Sequence, residues 1–465
     1  MAGLYNGGPA AIVYGMIVAS IGAMAVTASL GELASILPIA GAQYHWTYDL
    51  APFAPRFFSF VQGWITVFAW ISTIAVIPFL VGTQVQGVVM LNKEHYMPTQ
   101  WHGTLMMWAV MIIPLTVNIF TRTLLPAIEI LGGVLHILAW PGIIITLVIL
   151  APRHSSEFVW GTFVSGLSGW QDPGVVWSIG MLTVISTLNG MCIIQANGPP
   201  ADLSGYDGVI HMAEEVKNPR RVIPRAMLCG VFINALLAIG FAITITYTMG
   251  SFEEALNSPT DYPVIGIYRQ VTQSNNAATA MLCFVGLPGF VALFNGLASI
   301  TRLTWSFARD NGLPFSDFFF KISPHYRIPL RCLWLVSTVV VLLSLINIGS
   351  SAAFNAILSL SAIALYFSYL IPIVFLVIKR FRAPHEIHWG PFRLGKWGLP
   401  VNLFAILWAV YIIIFLPFPS TLPVTKENMN YAAPVFLGVV LFAVVDWCFR
   451  GRFKWDGPVG KLAVE

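Results

Sequence analysis

Glu129 and His136 stand inside one uninterrupted apolar run. Their spacing puts both on one face of a helix, about 10 Å apart along its axis. A carboxylate at the centre of a bilayer costs ~2.5–3.5 kcal/mol, so such groups usually have a use. An imidazole that titrates near neutral pH suits proton relay. The structural alternatives are Glu129 at the cytoplasmic interface and His136 hydrogen-bonded to a neighbouring helix. Asp207 comes shortly after Pro199-Pro200, which breaks the helix that starts near Val175. An unpaired carboxylate there needs a partner: free N–H groups, a proton or a cationic ligand. A plain N-cap is the alternative. Glu214 and Glu215 come next, beside Lys217, Arg220 and Arg221. They read as an ion-pair cluster that orients a helix end, or as a latch that breaks when the molecule changes state. Glu32 is placed to pair with the same basic cluster. Asn295 and Gly289 either face a cavity or serve helix packing.

The elements that must position these residues are membrane helices. The 465 residues are 57% hydrophobic and only 9% charged, with a mean hydropathy of +0.77. A soluble domain carries roughly 25% charged residues, so the solvent for most of this surface is lipid. Runs of about 20 apolar residues occur at 9–31, 57–82, 103–121, 125–150, 174–209 (interrupted), 227–249, 277–301, 332–348, 354–378, 399–417 and 432–449. They predict an all-α integral membrane protein of about eleven spans, joined by short loops into a single polytopic domain over 1–465. Twenty of the 24 lysines and arginines fall on one set of connections; Lys93, Arg153, Arg269 and Lys426 fall on the other. The basic set is cytoplasmic, which puts the C-terminus inside and, with eleven spans, the N-terminus outside. The five cysteines show no paired spacing, so neither a disulfide framework nor a metal site is expected. No phosphate loop or nucleophile elbow marks an enzyme. No cofactor and no nucleic-acid partner are expected.

In lipid every backbone N–H and C=O must be paired, so irregular backbone is tolerated only where it lines a cavity. A helix broken at Pro199-Pro200 therefore suggests a substrate or ion site of the kind found in secondary transporters. The alternative is a loop, 190–204, between two short segments.

Several stretches carry a family resemblance, in order. "SGYDGVIHMAEEVKNPRRVIPRAM" (Ser204–Met227) resembles the sixth helix and following loop of fungal amino-acid/choline permeases of the amino acid–polyamine–organocation superfamily. "NGGPAAIVYG" and "GELASILPIAGAQYHW" resemble the family's second helix and its cytoplasmic end, and "LLPAIEILGGVLHILAW" its fifth helix. "ARDNGLPFSDFF" with "RIPLRCLWL" resembles the eighth-to-ninth connection, and "LLSLINIGSSAAFNAILSLSAIALYFSYLIP" the ninth and tenth helices.

The resemblance implies a LeuT-like inverted-repeat transporter: two five-helix halves, the first helix of each broken near mid-membrane. It also implies that span 9–31 is the family's second helix, leaving the first half-repeat incomplete. The stretch 189–203 reads as an unusual lengthening of the broken helix. In such a permease the broken helices grip the amino and carboxylate groups of a small substrate. Ser204, Gly205, Tyr206 and Asp207 would form that element here, with Gly205 allowing close backbone approach, Tyr206 walling the pocket and Asp207 pairing with an amine. The implied function is transport of small amino acids or amines by alternating access, coupled to protons, at the plasma membrane. Choline or 4-aminobutyrate is the alternative substrate; a nutrient sensor or a truncated, non-transporting isoform is the alternative of another class.

Overall fold

The computed structural model describes residues 2–93, 95–182, 207–250, 263–426 and 428–458. All regular elements among them are helices. The main ones are α1 (Gly8–Ile36), α2 (Gln43–Leu50), α3 (Pro55–Asn92), α4 (Gln100–Phe120), α5 (Leu125–Leu150) and α6 (Pro173–Leu182). There follow α7 (Gly208–His211), α8 (Pro219–Thr248), α9 (Asn275–Arg309), α10 (Leu330–Gly349), α11 (Ser351–Arg382), α12 (Gly398–Phe415) and α13 (Ala432–Asp446). Among the described residues ten helices are long and apolar enough to cross a membrane, and α6 is a shorter apolar helix. These ten match ten of the eleven expected spans. The eleventh, 174–209, lies largely outside the described residues, as does the stretch 189–203.

Local sequence explains the starts. Proline stands in the first turn of α1, α3, α5 and α8, where its missing N–H would have no intrahelical partner anyway. Prolines inside the spans, such as Pro78, Pro141, Pro288 and Pro372, persist because neighbouring helices re-satisfy the freed groups.

α1 and α3 form the heart of the bundle. α1 packs most closely against α8, α3 against α9 and α11, and α4 against α10. In α1–α8, α3–α9 and α4–α10 the partners stand five spans apart when 174–209 counts as one. That is the pairing expected of two related halves. Close approach is bought with small residues: a Cβ on Gly63 would lie 2.3 Å from Phe307 Cε2, and one on Gly132 2.4 Å from Val291 Cγ1. The outer helices turn large apolar side chains outward, among them Leu138 and Ile149 on α5, Leu407 on α12, and Leu437 and Leu441 on α13. With no water to be shielded from, these faces suit lipid tails.

Candidate functional site

The site is assembled by three segments. They are the turn and helix after α1 (Ala40–His45), the short α7 with the 3₁₀ turn Ala213–Glu215, and the end of α9. Asp207 is fully buried at the start of α7. Its Oδ2 accepts hydrogen bonds from Gln43 Nε2 (2.9 Å) and Trp70 Nε1 (3.2 Å). Oδ1 has no hydrogen-bond partner among the described residues. The side chain makes no capping bond to α7, so the N-cap alternative does not hold. Two elements distant in sequence, α2 and α3, converge on it instead. His211, one turn further along α7 and also fully buried, places Nε2 3.6 Å from Asp207 Oδ2 and Nδ1 2.8 Å from the Ala40 carbonyl oxygen. The Trp70 and His211 rings meet edge to face at 5.4 Å.

The next two residues of α2 face the other way. The Tyr44 hydroxyl donates to Asp310 Oδ2 (2.7 Å) and lies 2.9 Å from Ser306 Oγ. His45 Nε2 is 3.1 Å from the same carboxylate oxygen, and Arg309 Nε lies 3.5 Å from Asp310 Oδ1. Burial works against the charge on Asp310, but its contacts with His45, Tyr44 and Arg309 outweigh it and hold the carboxyl below its usual range. Burial, and then the negative charge of Asp310, raise the Tyr44 phenol well above its ordinary value, so it stays a neutral donor. The sign follows from linkage: a depressed folded pKa stabilises above the unfolded value of about 3.9. That stabilisation is lost as pH falls through the lower folded value, so it is complete from pH 5 to 8. Tyr44→Phe should cost about 1.5–3 kcal/mol, the worth of a hydrogen bond to a charged group. It should also move the onset of acid destabilisation to higher pH. Thermal melting of the purified protein at pH 7 and at pH 4 checks both; an unchanged acid onset would contradict the assignment of Tyr44 as donor.

The ion pairs correct the sequence-based expectation. Glu214 reaches Arg309 (3.5 Å) and the Ala40 N–H (3.4 Å), and Glu215 engages Arg302. Glu32 pairs with Arg380 and accepts the Leu394 N–H (2.8 Å). These carboxylates therefore take arginines of α9 and α11, not the Lys217, Arg220, Arg221 cluster. The 3₁₀ turn aims Glu214 and Glu215 at the end of α9, while the chain carries Lys217 and Arg221 out to solvent. Arg220 contributes its carbonyl oxygen to Ser35 (2.9 Å). Beneath the Asp207–His211 contact lies a cavity of about 180 Å³ lined in part by His211, Glu214, Glu215, Arg302, Arg122 and Arg327.

Ser204, Gly205 and Tyr206 lie outside the described residues. Glu129 and His136 are both buried on one stripe of α5, with Gly132 and Gly133 between them. His136 Nδ1 accepts from Trp140 Nε1 (3.3 Å) on its own helix, not from a neighbour. Asn295 is fully buried on α9, and neither its amide oxygen nor its nitrogen has a partner among the described residues. Gly132 meets Val291, and the two helices run antiparallel. Glu129 and Asn295 are thus displaced from that contact toward the same end by about 4.5 and 6 Å, at 1.5 Å per residue. Gly289 is half-buried. Sequence reasoning missed Gln43, Tyr44, His45, Trp70, His211, Arg302, Arg309 and Asp310. His211 alone had a local signal, its i,i+4 spacing from Asp207.

Comparison with known proteins gives the same picture. A choline transporter of Saccharomyces cerevisiae is 31% identical over 459 residues, covering 97% of this chain and 77% of the relative. Amino-acid permease 2 of Neurospora crassa is 29% identical over 461 residues, covering 98% of this chain and 81% of its own length. A solved manganese transporter from Eremococcus coleocola superposes with a TM-score of 0.56 over 97% of this chain and 89% of that one, at 14% identity. At that identity the likeness speaks for the fold alone, the LeuT-like transporter architecture. Residues 1–442 match the profile of the amino acid permease family. The chain thus belongs to the amino acid permease family and is a multi-pass membrane transporter.

Proposed function

We propose that the chain carries small amino acids or amines across the plasma membrane by alternating access, driven by protons. The observation that carries this reading is Asp207, a fully buried carboxylate with one oxygen held by Gln43 and Trp70 and the other without a partner among the described residues. An anion in that position favours a cation, and an ammonium group is what amino acids and amines share. Tyr206 would add an aromatic wall suited to a cationic head, and the exposed N–H groups of a half-helix would suit a substrate carboxylate. Ser204 and Gly205 would complete the element, and the buried amide of Asn295, without a partner among the described residues, would offer a further polar contact. Glu129 and His136, buried on one face of α5, are candidate proton carriers. Relatives named as a choline transporter and as an amino-acid permease support both substrate types. Choline binds without N–H donors, so its quaternary nitrogen would meet Asp207 by charge alone. A sensor or a non-transporting isoform would bind without moving its ligand.

The test is uptake into cells that lack endogenous carriers, with labelled choline, 4-aminobutyrate and alanine, and with surface expression measured in parallel. Saturable uptake of at least one compound, raised by an inward proton gradient, is expected. Binding without uptake for all three would replace the transporter by a sensor.

A further inference from the structure

We infer that His211, held against Asp207, is the group that carries the coupling proton, and that the cavity beneath it is the route by which this proton reaches the cytoplasm. The inference rests on the proton-driven transport reading above and names its site. A carbonyl oxygen can only accept, so the 2.8 Å contact to Ala40 fixes the hydrogen of His211 on Nδ1. That leaves Nε2 as the atom that gains or loses the proton. Nε2 has no hydrogen-bond partner among the described residues and faces Asp207 Oδ2 at 3.6 Å. With the proton absent, a lone pair confronts a carboxylate; with it present, the pair is an imidazolium and its counter-ion. The proton thus enters Nε2 and leaves it with no other bond made or broken.

The surroundings suit that exchange. From α3 only the neutral Trp70 reaches the pair, and from α2 the neutral Gln43. The 3₁₀ turn brings Glu214 and Glu215, each already engaged by Arg309 or Arg302 of α9. Asp310, at the end of α9, is held by Tyr44 and His45. Arg220, Arg221 and Arg225 stand at the start of α8, where Arg220 is half-buried and the other two are exposed. His211 itself lines the cavity whose other walls include Glu214, Glu215, Arg122 and Arg327, so the residue that touches the buried carboxylate also borders that chamber. His136 lacks these features. Its Nδ1 is taken by Trp140, and Glu129 stands about 10 Å away along the helix. Because substrate and imidazolium would share one carboxylate, binding at Oδ1 and the charge on Nε2 are linked.

The experiment compares two modes of transport in reconstituted vesicles, using whichever of labelled choline, 4-aminobutyrate or alanine the wild type carries. Accumulation driven by a pH gradient needs net proton movement; exchange of labelled for unlabelled substrate does not. In His211→Gln the side-chain amide can still donate to Ala40 but cannot carry a proton at neutral pH. This variant is expected to lose gradient-driven accumulation, its inside-to-outside ratio falling to about 1, while exchange stays within about threefold of wild type. His211→Asn serves where the glutamine variant fails to reach the membrane, and a loss of both modes in properly inserted protein would assign His211 a structural role and overturn the proposal. Undiminished accumulation in His211→Gln would also overturn it, as would loss confined to His136→Gln. Wild-type exchange without any response to the pH gradient would remove proton coupling altogether. Absence of exchange in the wild type would instead overturn the transport reading itself.

Discussion

Arg380→Met is expected to destabilise the folded protein by about 3–5 kcal/mol, the usual cost of stranding one member of a buried ion pair. Glu32 is fully buried on α1, and its carboxylate is held from α11 by Arg380 and from the following segment by the Leu394 N–H. The guanidinium also lies over the Trp389 ring at 4.4 Å. Methionine fills much of the volume but leaves Glu32 charged in an apolar setting, with one N–H for company. The double variant Glu32→Leu with Arg380→Met removes both charges, and replacing a buried pair by apolar residues is often neutral or better. The thermal melting midpoint of the detergent-solubilised protein should therefore drop sharply in the single variant and recover in the double. If both fall equally, the stacking on Trp389 and the Leu394 contact matter more than the charge.

Asp207→Asn should weaken substrate binding by roughly tenfold or more, the effect of losing a charge-assisted hydrogen bond worth ~1.5–3 kcal/mol. Asparagine keeps an oxygen for Gln43 and Trp70, so the junction of α2, α3 and α7 can survive. The competing role is not capping, because the carboxylate makes no capping bond. It is that of a structural knot between three segments. A knot predicts the opposite pair of results: a lower melting midpoint with an unchanged half-saturation concentration for uptake. Measuring both on one preparation separates the two roles. Loss of affinity at wild-type stability places Asp207 against the substrate; loss of stability alone leaves it as a tie.

The sequence by itself determined the spans and the lipid-facing character of the chain. A membrane helix must satisfy its own backbone over about 20 consecutive apolar residues, and that requirement is written locally. It is why ten described helices fall where apolar runs stood. The shared face of Glu129 and His136 was legible for the same reason, since a 3.6-residue repeat needs no distant partner. The partners of the charged residues were decided by tertiary structure. Asp207 meets Gln43 across 164 residues and Trp70 across 137, and Glu32 meets Arg380 across 348. Nothing in a local window distinguishes Arg380 from the nearer Arg220 as the partner of Glu32. The choice follows from which helix ends the packing of α1 against α8, α11 and α12 brings to the same depth. Tyr44 and His45 carry no local signal of a partner; only the fold of α2 aims them at Asp310, while their neighbour Gln43 turns to Asp207. A buried charge is stable only beside a counter-charge or donors, so the sequence could require partners for these groups; only the assembled bundle could supply them.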